Sequence, residues 1–218
     1  MLSALSSRVL VGATAVLVFV TLFLLFPASA RAQEIGVKAG VNFASLTPEE
    51  DEDPDTSRRI GAIAGAWVRI PRSGRFSFQA EGLFSEKGVT FEPVPELGVD
   101  ESIDIRIRYL EIPLLARIDF GAAGSAARVF VVGGAAPAFK LSAHGKATFE
   151  GVEQTRDIDD DVYSADVGLV GGLGVEFGPA LIEARYTHGL RHINTDDNGD
   201  EDRIKNRVFS LMFGFRLR

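Results

Sequence analysis

The chain of 218 residues has no cysteine. That excludes a disulfide scaffold, a thiolate metal site, a cysteine nucleophile and a lipid-modified N-terminal Cys. Bases are also scarce: 23 Lys and Arg stand against 30 Asp and Glu, a net charge of −7. Phosphate backbones need a basic surface, so nucleic acid is excluded as a partner. With 46% hydrophobic and 24% charged residues, the chain fits neither a disordered tail nor a helical multi-span transporter. What it has instead is 23 Gly, 9 Pro and 16 Phe, which favours strands and turns over long helices.

Residues 1–32 carry no acid, one early base (Arg8), an apolar stretch from Val9 to Phe26, and then Pro27-Ala28-Ser29-Ala30-Arg31-Ala32. A helix breaker followed by the small-x-small pair Ala30 and Ala32 predicts a signal peptide cleaved after Ala32, with Gln33 as the new N-terminus. The alternative is an uncleaved anchor, since a largely apolar stretch of 18 residues also suffices to cross a bilayer. Loss of Arg8 and Arg31 with the leader leaves 21 bases against 30 acids, a net charge of −9. The remaining residues, 33–218, form the expected single domain.

In that domain alternation with period two recurs, and no helical period is sustained. Eight strands are predicted, near 35–46, 59–70, 75–88, 103–120, 128–143, 163–177, 180–192 and 205–217. Their connections alternate strictly in length. Three are short and turn-like (Pro71-Arg72-Ser73-Gly74, residues 121–127 and Gly178-Pro179), whereas those near 47–58, 89–102, 144–162 and 193–204 are long. In or beside the long ones lie 22 of the 30 acids. All long loops therefore leave one end of an up-and-down sheet, the layout of an outer-membrane barrel with short periplasmic turns and long external loops.

A soluble lipocalin-like barrel and a membrane barrel differ in which face is apolar. Phe209, Leu211, Phe213, Phe215 and Leu217 oppose Ser210, Gly214 and Arg216, and Ile182, Ala184, Tyr186 and Leu190 oppose Glu183, Arg185 and Thr187. Phe76, Phe120, Phe177 and Phe215 fall where strands meet short turns, as an interfacial aromatic girdle requires. Together with the export signal, this predicts an all-β, eight-stranded antiparallel transmembrane β-barrel in the outer membrane of a Gram-negative-type bacterium. The fourth strand breaks parity: Ile103, Ile105 and Ile107 are odd, but Leu110, Ile112, Leu114 and Ile118 are even. A β-bulge near Arg108 to Leu110 would keep both sets outside and turn Asp104 and Arg106 inward. The alternative is that the upper part of the strand lies beyond the membrane.

The segments GVKAGVNFASL (36–46), QAEGLFSEKG (79–88), YLEIPLL (109–115), GLGVEF (172–177), EARYTHGL (183–190) and NRVFSLMFG (206–214) resemble the outer-membrane β-barrel family labelled "porin family" or PorT-like. The resemblance spans the domain in order and implies the eight-stranded barrel, but little about activity. Such barrels usually end in an aromatic residue read by the barrel-assembly machinery, the expected folding partner. Here Phe213 and Phe215 alternate properly, but Leu217 and Arg218 follow.

An eight-stranded barrel is only wide enough inside for side chains. The expected inward set, Lys38, Gln79, Glu81, Lys87, Arg106, Glu111, Arg117, Asp166, Glu176, Glu183 and Arg185, has both signs in similar number and predicts a lumen plugged by ion pairs. No enzyme and no cofactor are expected. His188 is followed two residues later by Leu190, and His192 by Asn194, so the His-x-Ser spacing of barrel lipid A deacylases is missing. The segment from Asn194 through Asp196, Asn198 and Asp200 resembles the start of a calcium loop, yet position one is Asn and position twelve is Lys205. A solvated acidic loop is the default reading there. The expected partners are outer-membrane lipid and, through divalent cations on the acidic loops, lipopolysaccharide, with the barrel itself a monomer. The alternatives to this structural or surface-interaction role are a narrow pore, a secretion accessory of the PorT-like kind and an outer-membrane lipid hydrolase.

Overall fold

A computed structural model describes residues 33–47, 56–91, 102–121, 125–149, 152–157, 165–192 and 205–218. The expected signal peptide, most of the acidic loop residues and the calcium-like segment at 194–200 lie outside the described residues. Within them there is no helix, and the chain forms β1 (Glu34–Thr47), β2 (Thr56–Ser73), β3 (Phe76–Phe91), β4 (Ser102–Glu111), β5 (Leu114–Phe120), β6 (Ala127–Phe149), β7 (Val152–Asp157), β8 (Ala165–Phe177), β9 (Ala180–His192) and β10 (Lys205–Arg216).

Each strand pairs antiparallel with its neighbour, and β10 returns to β1 over the register Gly36↔Arg216 to Thr47↔Lys205. β4 and β5 are two parts of one stave: both pair with β3 on one side and β6 on the other, and from Tyr109 to Phe120 they keep the same register against β6. The break is local. Pro113 has no N–H to give the ladder, but its carbonyl still accepts from Glu81 N–H at 3.0 Å, and Ile112 N–H donates to Pro137 at 2.8 Å. β7 and β8 both pair with β6 and form another interrupted stave. The result is a closed, eight-stave antiparallel barrel.

The first short connection is tighter than the expected Pro71-Arg72-Ser73-Gly74, and the one at Gly178-Pro179 is as expected. Ser73 pairs with Phe76 and Phe177 with Ala180, leaving two-residue turns at Gly74-Arg75 and Gly178-Pro179. Gly74 and Gly178 take φ of 60° and 57°, the left-handed conformation that hairpin turns matching the strand twist require and that glycine adopts without a Cβ clash.

Two expectations need correction. The third long connection, expected from residue 144, is largely strand, because β6 continues to Phe149 and pairs there with β7 and with the upper part of β4. The parity break also lies on a different strand. On β4 and β5, Ile107, Tyr109, Glu111, Leu115 and Arg117 are all buried, so the odd positions from 107 to 117 face inward. The bulge is on β6, where Arg108 pairs with Ser142 but Tyr109 with Lys140. The extra residue, Leu141, switches the inward set of β6 from Phe130, Val132, Ala136 and Ala138 to Ala143. Ile107 therefore packs inside with Tyr109, Ala138 and Ala143.

Glycines make room for the interior aromatics. A Cβ on Gly36 would sit 2.3 Å from the Trp67 ring, and one on Gly174 would sit 2.3 Å from Phe130 Cζ, whereas Gly171 on the outer face has nothing within 4 Å. Gly174→Val is therefore expected to cost about 1–3 kcal/mol by overpacking. Gly171→Val is expected to leave stability near wild type, and urea unfolding of the two variants in detergent micelles checks the contrast.

Candidate functional site: the barrel lumen

Alternation sends every second side chain into the ring. In this chain the inward ones are charged or bulky and the outward ones apolar. Val37, Phe78, Phe84, Leu173, Ile182, Leu211 and Phe213 are exposed on the outer wall, whereas Lys38, Glu81, Glu183 and Arg185 are buried. A wall of that kind is stable only against hydrocarbon, because contiguous apolar surface of this extent is not sustained in water. Phe76, Phe120, Phe177 and Phe215 lie on this wall next to the short turns, Phe76 half-buried and the other three exposed. Phe76 also packs edge-on against Phe78, with ring centroids 4.9 Å apart.

The lumen is filled in layers. Nearest the short turns, Glu176 is the hub of four guanidinium groups: Arg69 at 2.9 Å, Arg117 at 2.5 Å, Arg128 at 3.0 Å and Arg216 at 3.2 Å. Glu34 and Asp119 complete the layer, Glu34 accepting from Arg69 and Arg216 and Asp119 from Arg117 at 2.7 Å. Arg117 stacks 3.7 Å above the Phe130 ring, and Arg69 lies 5.6 Å from the centre of Trp67. These cation–π contacts join the charged layer to an apolar one of Trp67, Leu115, Phe130, Val132, Val170 and Leu181.

The middle of the lumen holds the tightest cluster. Lys38 on β1 donates to Glu81 on β3 at 2.7 Å and to Glu183 on β9 at 3.0 Å. Arg185 donates to both Glu81 oxygens at 2.9 Å and through Nε to Glu183 at 2.9 Å. Gln79 adds a third donor to Glu81 at 2.6 Å. Two acids face two bases, all essentially without solvent exposure, so the charges cancel within one layer. Farther toward the long loops, Ser210 donates to Asn42 at 2.7 Å and Asn42 to Ser85 at 2.9 Å. Beyond these, Lys87 meets Glu111 at 2.7 Å and lies over the Tyr109 ring.

Of the eleven residues expected inside, Lys38, Gln79, Glu81, Lys87, Glu111, Arg117, Asp166, Glu176, Glu183 and Arg185 are buried within the ring. Asp166 accepts from the Val167 N–H at 2.7 Å. Arg106 is the correction. Because β4 keeps its parity, Arg106 lies on the outer wall with its side chain 44% exposed, 3.4 Å from Glu86. Missing from the expected set were Glu34, Asn42, Arg69, Ser85, Asp119 and Arg128, while Ser210 and Arg216, which alternation places on the polar face, also lie inside. Arg69 had a usable signal, since it shares parity with Trp67 and alternates with Ala62, Ala64 and Ala66. The others sit at strand ends or are small polar residues for which alternation carries little weight. His188 is half-buried and shares the outward parity of Tyr186 and Leu190. Among the described residues no cluster of His, Asp and Glu is arranged to hold a metal ion.

A closed antiparallel ring, apolar outside and packed with ion pairs inside, defines a transmembrane β-barrel. The chain belongs to the family of outer membrane protein beta-barrel domains, whose match covers residues 27–194, and its place is the bacterial outer membrane. Similar solved structures include Neisserial surface protein A (13% identity over 83% of this chain and 96% of that one, TM-score 0.44). OprG from Pseudomonas aeruginosa matches at 15% identity over 86% and 97% (TM-score 0.44). The outer membrane enzyme PagL matches at 12% identity over 83% and 98% (TM-score 0.45). No curated protein matches the sequence.

Removing one member of the central cluster strands its partners. Glu81→Gln leaves Lys38 and Arg185 facing Glu183 alone and is expected to lower the unfolding free energy by about 3–5 kcal/mol. Ser210→Ala, which removes one neutral hydrogen bond, is expected to cost about 1 kcal/mol. Urea titration followed by the boil-dependent shift in gel mobility separates the two.

Proposed function

We propose that the protein is a non-conducting barrel that anchors an acidic surface in the outer membrane, with a structural or surface-interaction role in the envelope. The observation that carries this reading is the central ion-pair cluster, in which side chains from β1, β3 and β9 meet across the lumen. An ion path would have to break bidentate contacts in the middle and the four-guanidinium layer around Glu176 below them. The acidic loops suit a partner bearing cations, including lipopolysaccharide bridged by divalent ions. The reading is non-enzymatic: His188 faces outward, and Leu190 stands where barrel deacylases carry serine.

The PorT-like resemblance supports a second reading, an accessory role in protein secretion, for which co-purification of a secretion component is the measurement. For the leading reading, the purified barrel in planar lipid bilayers is expected to give no conductance steps. Arg185→Glu is expected to weaken the barrel against urea while leaving permeability at baseline. Regular conductance steps in the wild type, enlarged by Arg185→Glu, would favour the narrow pore instead.

A further inference from the structure

One group of charges stands on the wrong side of the wall for the lumen. Arg106 and Arg108 on β4 point outward with side chains 44% and 41% exposed, and Glu86 on β3 lies between them, 3.4 Å from Arg106 Nε and 3.5 Å from Arg108 Nε. Both distances exceed the roughly 2.7–3.2 Å of a well-formed N–H···O bond, so one carboxylate is shared loosely by two guanidinium groups. On β6, Ser142 is in register with Arg108 and His144 with Arg106, which puts a hydroxyl and an imidazole on the same outer face. Among the described side chains, two guanidinium groups stand here against one carboxylate, in a chain of net charge −7.

Its height on the wall is set by the neighbours. Phe84 pairs with Leu110 directly below Glu86 and Arg108, and exposed Leu141 lies beside them. From Phe76 to Phe84 the outward positions of β3 are Phe76, Phe78, Ala80, Gly82 and Phe84. At about 3.4 Å per residue on a strand tilted by about 40°, this band is roughly 20 Å tall. The arginines thus begin where the apolar band ends, at the end bearing the long external loops. Groups at that level meet lipid headgroups.

We propose that Arg106, Arg108 and His144 form a site for the phosphate of an outer-leaflet lipid headgroup, with acyl chains lying along Phe84, Leu110 and Leu141. Guanidinium groups two positions apart on one strand stand about 7 Å from each other, and each offers the planar donor pair that phosphate oxygens accept. The contact is direct, and therefore different in kind from cation bridging by the acidic loops. It depends on the membrane position of the wall and not on whether the lumen conducts.

The test reconstitutes the full-length protein in phosphatidylcholine vesicles containing either lipid A or its dephosphorylated form, extracts it gently, and quantifies bound lipid by mass spectrometry. Wild type is expected to retain lipid A over the dephosphorylated form. The R106Q/R108Q variant is expected to bind it roughly 30-fold more weakly, from the usual contribution of two surface bases. R72Q/R75Q, which removes two bases at the short-turn end, is expected to match wild type. Glu86→Gln, which removes the competing carboxylate, is expected to bind about fivefold more tightly and gives a reading even if the double variant does not assemble. Every variant is checked for the boil-dependent gel shift. Equal retention by R106Q/R108Q and wild type, or an equal loss in R72Q/R75Q, would overturn the proposal. So would unchanged or weaker binding by Glu86→Gln, or displacement of lipid A by inorganic phosphate at equal concentration, which would mark a site for soluble phosphate.

Discussion

Hydrocarbon offers no hydrogen bonds, so every backbone N–H and C=O in the spanning region needs a partner within the protein. The pairing of β1 with β10 meets that demand by abolishing both sheet edges. Most other features follow from this closure. Eight staves give a ring just wide enough for side chains to fill, and the inward side chains here are large enough to do so. Where the backbone cannot supply a donor, at Pro113, the adjacent Ile112 and Pro137 contacts keep the ladder continuous. The glycines at 36 and 174 leave space for Trp67 and Phe130 to lie against the wall.

The filling is largely ionic, although ion pairs are not the cheapest way to pack a dry space. Well-packed apolar residues often stabilise as much or more, because charges must first be desolvated. The arrangement here limits that cost by satisfying several oxygens and nitrogens at once. Glu81 receives from Lys38, Gln79 and Arg185, and Glu176 from four arginines. The geometry of such a network is demanding, so it also selects one stagger of the strands. A slip of one residue would turn Lys38, Glu81 and Arg185 into lipid and Val37 and Ile182 into the lumen.

Much of this was legible in the sequence because a membrane barrel writes its two environments into odd and even positions. The fold and most of the inward set follow from strands such as 76–88 and 180–192, where Phe and Leu alternate with Glu, Arg and Lys. Legibility failed where one strand was uninformative. Residues 129–136 on β6 are apolar or small on both faces, so nothing in them betrays the bulge at Leu141, and the break was assigned to the neighbouring isoleucines. That misplacement turned Arg106 inward and Ile107 outward. The layer around Glu176 was only partly visible, because Glu34, Asp119 and Arg128 lie at strand ends, where a charge reads as part of a turn. Only the three-dimensional closure gathers them into one layer around Glu176.

Trp67 is the single tryptophan of the chain, and it lies inside the barrel against Gly36 and beneath Arg69. Indole residues of membrane proteins commonly sit at the lipid boundary and report on it; this one has almost no outward exposure. The protein therefore carries one built-in optical probe, which registers the polarity and packing of its interior and is blind to the surrounding bilayer.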